Sequence, residues 1–137
     1  MSGPAADDGA TVGTVTRVAV RAVRGAVQVD VDEREEVLSA TRELVSEVIR
    51  LNDLSLDDFI SVIFTSTADL TSEFPAVAAR ELGMGDVPLM CARELEIESS
   101  MPRVIRLMAH VETTRPRAQV RHVYLRGAVA LRRDIAQ

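Results

Sequence analysis

Two arginines stand where a charge is costly. Arg24 closes the run RVAVRAVR (17–24), whose alternate residues Val18, Val20 and Ala22 are apolar, and Arg106 lies between Val104 and Met108 in RVIRLMAHV (103–111). A guanidinium withdrawn from water needs an anionic partner, and its planar fork of donors suits a carboxylate. That partner is either a protein carboxylate or a ligand. For each arginine taken singly, an internal salt bridge or an exposed sheet face is the plainer account. Arg80 and Arg132 are further candidates, though each alone reads as a solvated surface charge. Glu94 could pair with an arginine or accept a bond from a ligand hydroxyl, against an ordinary surface role. Cys91 reads as a small core residue before a nucleophile, and Phe74, Tyr124 and Leu131 as core packing before pocket wall. His122, two residues before Tyr124, reads as structural before a general base. If the arginines converge, the fitting ligand is a small, multiply anionic organic acid; on the residues alone the reaction stays open.

Composition narrows the chemistry. The chain has 137 residues, 47% hydrophobic and 27% charged, with a formal net charge of -5. A chain of this size forms one domain burying roughly 70% of its unfolded surface, which makes it a single acidic globule. That charge disfavours general nucleic-acid binding. All 16 basic residues are arginine. A GC-rich genome would explain this, yet it still excludes a Schiff-base lysine, a pyridoxal-phosphate anchor and a P-loop lysine. Cys91 is the only cysteine, and His110 and His122 are the only histidines. An intrachain disulfide, a CxxC pair and a zinc set are therefore excluded, and no metal or cofactor is expected. No apolar run approaches the roughly 18 to 20 residues of a spanning helix, and no secretory signal pattern opens the chain, so the expected address is cytoplasmic.

The elements that must position these residues follow from periodicity. Residues 1–16 are small, polar and Gly-rich and read as a tail outside the core, with the fold occupying 17–137. A first strand is expected over 17–24. Asp32 and Glu35 have the spacing of a capping box, and Val37, Thr41, Leu44, Val48 and Leu51 then recur at spacings of four and three, which predicts a helix of about five turns. FISVIFTST (59–67) carries no charge and suits a strand buried on both faces at the centre of a sheet. Pro75 and Gly83 bracket a short second helix. VPLMCA (87–92), 103–111 and VYLRGAVALR (123–132) read as three more strands, the last with a bend at Gly127. The result is an α/β (α+β) domain, a mixed sheet of about five strands with two helices on one face. The other face needs cover, which points to oligomerisation.

Several segments together resemble the short, monofunctional, trimeric α/β class of chorismate mutase. They are VRAVRGAVQVD (20–30), TSTADLTSEFPAVAAREL (65–82), VPLMCARELEI (87–97), RVIRLMAHVET (103–113) and RHVYLRGAVALRRDI (121–135). RHVYL and FPAVAAREL are the specific ones. The resemblance implies a homotrimer packed around its sheets as a pseudo-barrel, with active sites in clefts between subunits. It implies the [3,3] rearrangement of chorismate to prephenate in phenylalanine and tyrosine biosynthesis. On the same resemblance Arg24 grips a substrate carboxylate beside Tyr124, Arg106 donates to the ether oxygen and a carboxylate, and Glu94 and Cys91 meet the ring hydroxyl region. Phe74, Ala76 and Arg80 arrive from the adjacent subunit, Leu89 and Met90 join the substrate contacts, and Leu131 with Arg132 helps close the cleft. The sequence departs at Val77, where a lysine is common, and at Met90, where threonine is familiar. A concerted rearrangement needs no lysine, histidine or metal, which agrees with the inventory above. Two other classes compete: a non-catalytic trimer that binds a small carboxylate, and a trimeric imine deaminase of similar architecture.

Overall fold

The computed structural model describes residues 11–12 and 15–135. In chain order the strands and α-helices are β1 (Thr11–Val12), β2 (Val15–Thr16), β3 (Ala19–Gln28), α1 (Arg34–Leu51), β4 (Phe59–Ser66), α2 (Pro75–Glu81), β5 (Leu89–Arg93), β6 (Val104–Thr113) and β7 (Val123–Leu125). Of the expected tail, residues 1–10, 13 and 14 lie outside the described residues, while β1 and β2 pair with each other. The main sheet has five strands in the order β5-β4-β6-β3-β7. β6 runs antiparallel to both β3 and β4, whereas β4 with β5 and β3 with β7 are parallel pairs. α2 supplies the long crossover that the parallel β4–β5 pair requires.

One face of the sheet forms the core. Ile105, Leu107, Ala109 and Val111 alternate along β6 and are buried, as are Val23 and Val27 of β3 and Val62 and Phe64 of β4. They pack in one cluster with Val37, Leu44 and Val48 of α1, each large side chain contributing about 1.5–3 kcal/mol by burial. Thr41, expected on the same stripe, is buried too and donates its hydroxyl to the Val37 carbonyl at 2.7 Å. α1 starts without the expected capping box: its N-cap is Glu33, with no side-chain cap bond. Asp32 is occupied elsewhere, accepting bonds from the Thr71 and Ser72 backbones. A tertiary contact there outcompetes a local one.

Two further expectations change. β4 is interior to the sheet but not central; β6 holds the middle, and Ile60 and Ile63 of β4 are exposed on the outer face. The C-terminal strand stops at Leu125, and Arg126–Ile135 forms a 3-10 helix instead. The turn begins at Arg126, with φ of 55°, and Ala128 and Leu131 then share a side of a three-residue period. This helix folds onto the outer face, where Ala128 packs with Ala26 and Val104 beside Tyr124 and Leu131. Among the described residues the outer face is therefore covered at one end. At the other end Val20 and Met90 stay 57% and 62% exposed, accompanied by Val18 and Met108. Among the described residues no helix is long and apolar enough to cross a membrane.

At Gly25 both α1 and β7 come close to β3. A Cβ there would stand 3.0 Å from Leu44 Cδ1, 3.3 Å from the Val123 carbonyl and 3.4 Å from Leu107 Cγ. Overpacking of this kind costs about 1–3 kcal/mol, so Gly25→Ala should lower the unfolding free energy by that amount in urea while leaving far-UV circular dichroism unchanged. A variant as stable as the parent would mean that the helix and sheet separate there at no cost.

Candidate active site

Strand register brings the predicted residues to one row of the outer face. Ala26 of β3 is paired with Arg106 of β6 on one side and Tyr124 of β7 on the other, and Arg106 is paired in turn with Thr65 of β4. Arg24 is paired with Met108, which sets it diagonal to Arg106, a separation of roughly 7–8 Å between backbones. Ala26 itself is fully buried beneath Ala128, and the space opens beside it, among Arg24, Arg106 and Tyr124. The result is a cleft of about 280 Å³ whose walls include Arg24, Ile63, Thr65, Arg106, Met108, Tyr124 and Leu131. Leu131 arrives from the 3-10 helix, so the segment misread as a strand contributes to the cleft after all.

Arg106 is half-buried on the middle strand and is paired with a protein carboxylate. Its Nε lies 3.1 Å from Glu94 Oε1 and 2.9 Å from Oε2. Thr65 donates its hydroxyl to the same Glu94 carboxylate. Glu94 follows β5, and its backbone N–H reaches the Ser66 carbonyl at 3.0 Å, continuing the β4–β5 ladder. Arg24 is exposed, and its backbone N–H donates to His122 Nδ1 at 3.0 Å. A backbone N–H can only donate, so Nδ1 carries the lone pair and the ring is neutral. Burial, and then the positive charge of Arg24, holds the His122 pKa below the usual histidine value.

The remaining predicted residues lie elsewhere in the chain. Phe74, 65% exposed, and Cys91 line a second concavity of about 450 Å³ together with the 66–75 loop. Cys91 and Leu89 sit at the register positions of Phe64 and Val62, on the core side of edge strand β5, whereas Met90 faces outward. Within one chain Cys91 and Glu94 therefore do not share a cavity. Ala76 is buried in α2 as a core residue, and Arg80 and Arg132 are exposed. The rim at Phe74 is fixed by two carboxylates. Glu73 accepts the Phe74 N–H at 3.0 Å and Arg34 Nε at 2.7 Å, bonds that in that order draw its pKa down. Asp32 is pushed up by burial, but bonds from Thr71 and Ser72 outweigh this and leave its pKa below the ordinary value. Thr65, Ile63 and Met108 escaped the sequence reading, since only the register across β4 and β6 marks them.

Two guanidinium groups, a phenol and apolar walls on one rigid sheet can hold a compact dianion, and a fixed cation can stabilise negative charge that develops during reaction. Among the described residues no group of three or more His, Cys, Asp or Glu is placed to hold a metal ion. The family model described as chorismate mutase type I matches residues 20–135, which include every residue of this cleft. The chain belongs to the type I chorismate mutase family. It is 50% identical over 117 residues to a Thermus thermophilus protein named chorismate mutase AroH, covering 85% of this chain and 96% of that one. A Bacillus subtilis protein of the same name is 38% identical over 118 residues, covering 85% and 93%. Among solved structures, a chorismate mutase from Clostridium thermocellum superposes with a TM-score of 0.79 at 41% identity, covering 80% of this chain and 97% of that one. The family's mixed α/β architecture is thus the fold seen here.

The neutral His122 ties the β3–β7 edge of this chorismate mutase fold to pH. Its folded pKa lies below the unfolded value of about 6.5, so the unfolded chain takes up the proton first as pH falls. The stability it contributes is present above about pH 6.5 and is lost as pH falls from there through the folded pKa. His122→Asn, whose amide oxygen can still accept the Arg24 N–H, should lose less stability than the parent between pH 7 and pH 5 in paired denaturant titrations. Equal acid losses in the two proteins would show that this ring does not titrate on unfolding.

Proposed function

We propose that the chain catalyses the rearrangement of chorismate to prephenate, with Arg106 as the principal catalytic group and the cleft between Arg24, Arg106 and Tyr124 as one half of each active site. What carries the reading is the convergence of Arg24, Arg106 and Tyr124 on one cleft in a chain of this family. In the [3,3] rearrangement the ether C–O bond breaks as a new C–C bond forms, without proton transfer or a covalent enzyme intermediate. The enzyme's task is to hold the flexible dianion in its compact geometry and to place positive charge where the ether oxygen gains electron density. Arg24 and Tyr124 hold one carboxylate. Arg106, its Nε edge fixed by Glu94, presents its remaining donors to the ether oxygen and the second carboxylate. Glu94 also meets the ring hydroxyl.

The other half-site belongs to a neighbouring copy in this reading. Phe74 and Cys91 line a separate concavity, so one chain cannot bring them to Arg106, and the open end of the outer sheet face offers apolar surface for packing between copies. A homotrimer with three shared sites meets both requirements: Phe74, Arg80, Leu89, Met90 and Cys91 approach from one subunit, with the core residue Ala76 backing Phe74, and Leu131 with Arg132 closes the cleft of the next. The cytoplasmic address expected from the sequence is part of the same proposal.

Chorismate consumption with prephenate formation is the direct test. Removing one preorganised donor to a developing oxyanion costs about 3–4 kcal/mol, or roughly a hundred- to a thousandfold in kcat, so Arg106→Ala should lose at least that and Arg106→Lys should recover only part. Arg24→Ala should act more on KM, because its carboxylate contact exists before and during reaction. A folded Arg106→Ala protein within tenfold of the parent would refute the electrostatic role.

Shared sites predict a trimeric mass by light scattering. They also predict partial recovery of activity when Arg80→Ala and Arg106→Ala subunits are mixed and allowed to exchange. A fully active monomer, or exchange without recovery, would remove the shared-site reading.

A further inference from the structure

We infer that Thr65 is a positioning residue for the rearrangement, acting through Glu94 to aim the guanidinium of Arg106; this rests on the function proposed above. Thr65 is paired with Arg106 across β4–β6 and with Ala92 across β4–β5, so it stands between the catalytic strand and the strand that leads to Glu94. Its hydroxyl donates to Glu94 Oε2, and the next residue's carbonyl, that of Ser66, takes the Glu94 backbone N–H at 3.0 Å. Glu94 is therefore held at both ends by two adjacent residues of β4. A glutamate has several rotatable bonds, and an ion pair alone would leave its carboxylate free to swing about the arginine. With one oxygen fixed by Thr65, both oxygens stay on Arg106 Nε, at 2.9 and 3.1 Å. A guanidinium is planar, so fixing its Nε edge fixes the direction of its remaining donors. Threonine suits the task because its β-branch stiffens χ1 and favours a strand. At 16% side-chain exposure Glu94 has little water to supply a substitute donor.

Thr65→Val keeps the shape and removes the hydroxyl, while Thr65→Ser keeps the hydroxyl and removes the methyl group. Misaiming a catalytic group by a fraction of an ångström to an ångström costs up to about 100-fold, so kcat for chorismate should fall about 10- to 100-fold in Thr65→Val. KM should change by less than about threefold, since the charges that bind the dianion remain. Thr65→Ser should restore kcat to within about threefold of the parent. The Val substitution should lose most of its effect in a Glu94→Gln background, because the hydroxyl acts through that carboxylate. Thr65→Ala replaces Val if the latter fails to give native circular dichroism and mass. An unchanged kcat in a folded Thr65→Val, a Ser variant as slow as Val, or additive losses with Glu94→Gln would each overturn the inference. An active parent isolates these outcomes from the function itself, whereas a parent inactive on chorismate would overturn both.

Discussion

A cation on the middle strand of a sheet has to be met by an anion, and the placement of Arg106 on β6 organises much of what surrounds it. The Arg106 side chain keeps 40% of its exposure, so the guanidinium is only partly withdrawn from water, and a carboxylate in good geometry offsets what is lost. Glu94 does so from the end of β5, two strands away, because the intervening β4 residue is a threonine that bonds the carboxylate and does not block it. On the opposite side Ala26 is paired with both Arg106 and Tyr124 and is small enough for Ala128 to pack on it. One large residue at position 26 would collide with the 3-10 helix packed on it; one apolar residue at position 65 would leave the carboxylate without its hydroxyl donor.

The sheet's two faces carry different burdens. The inner face, with Phe64, Leu107 and the α1 stripe, supplies the burial that holds the strands in register. The outer face is freed from that duty and can carry charge. It is closed at one end by the C-terminal 3-10 helix, whose Ala128 and Leu131 pack on Ala26, Val104 and Tyr124. Arg126, at the start of that helix, is anchored back to α1 by Glu43 at 3.1 Å. The cleft wall is thus tied to the main helix through a surface ion pair. Such surface pairs contribute little to stability.

His122 links the same cleft to the protein's edge. Its neutral ring accepts from the Arg24 backbone, so the strand that carries this cleft arginine is clamped by an imidazole whose protonation would remove the clamp. The same imidazole lies near the Arg24 charge, which helps to keep it unprotonated. The Arg24 charge and the pairing at the β3–β7 edge are coupled there by a few ångströms.

Local pattern was enough for much of this. The spacing of Val37, Thr41, Leu44 and Val48 marked α1, the bracket of Pro75 and Gly83 marked α2, and apolar context singled out Arg24 and Arg106 before any neighbour was known. RHVYL, FPAVAAREL and their order were enough for the family. The misreadings share one cause, which is that a residue's local signal was overruled by a contact distant in sequence. Asp32 looked like a cap and instead binds Thr71 and Ser72, some 39 residues on. Residues 123–132 alternated like a strand and turned at Arg126 to cover Ala26 and Val104. Thr65 carried no signal at all, because its role exists only once β4 lies beside both β5 and β6. The sequence by itself determined which side chains are apolar, charged or stiff, and from these the elements, the family and the two key arginines. Only the tertiary structure decided which of them meet, because the register of β4 against both β5 and β6 is set by packing between segments that no local spacing encodes.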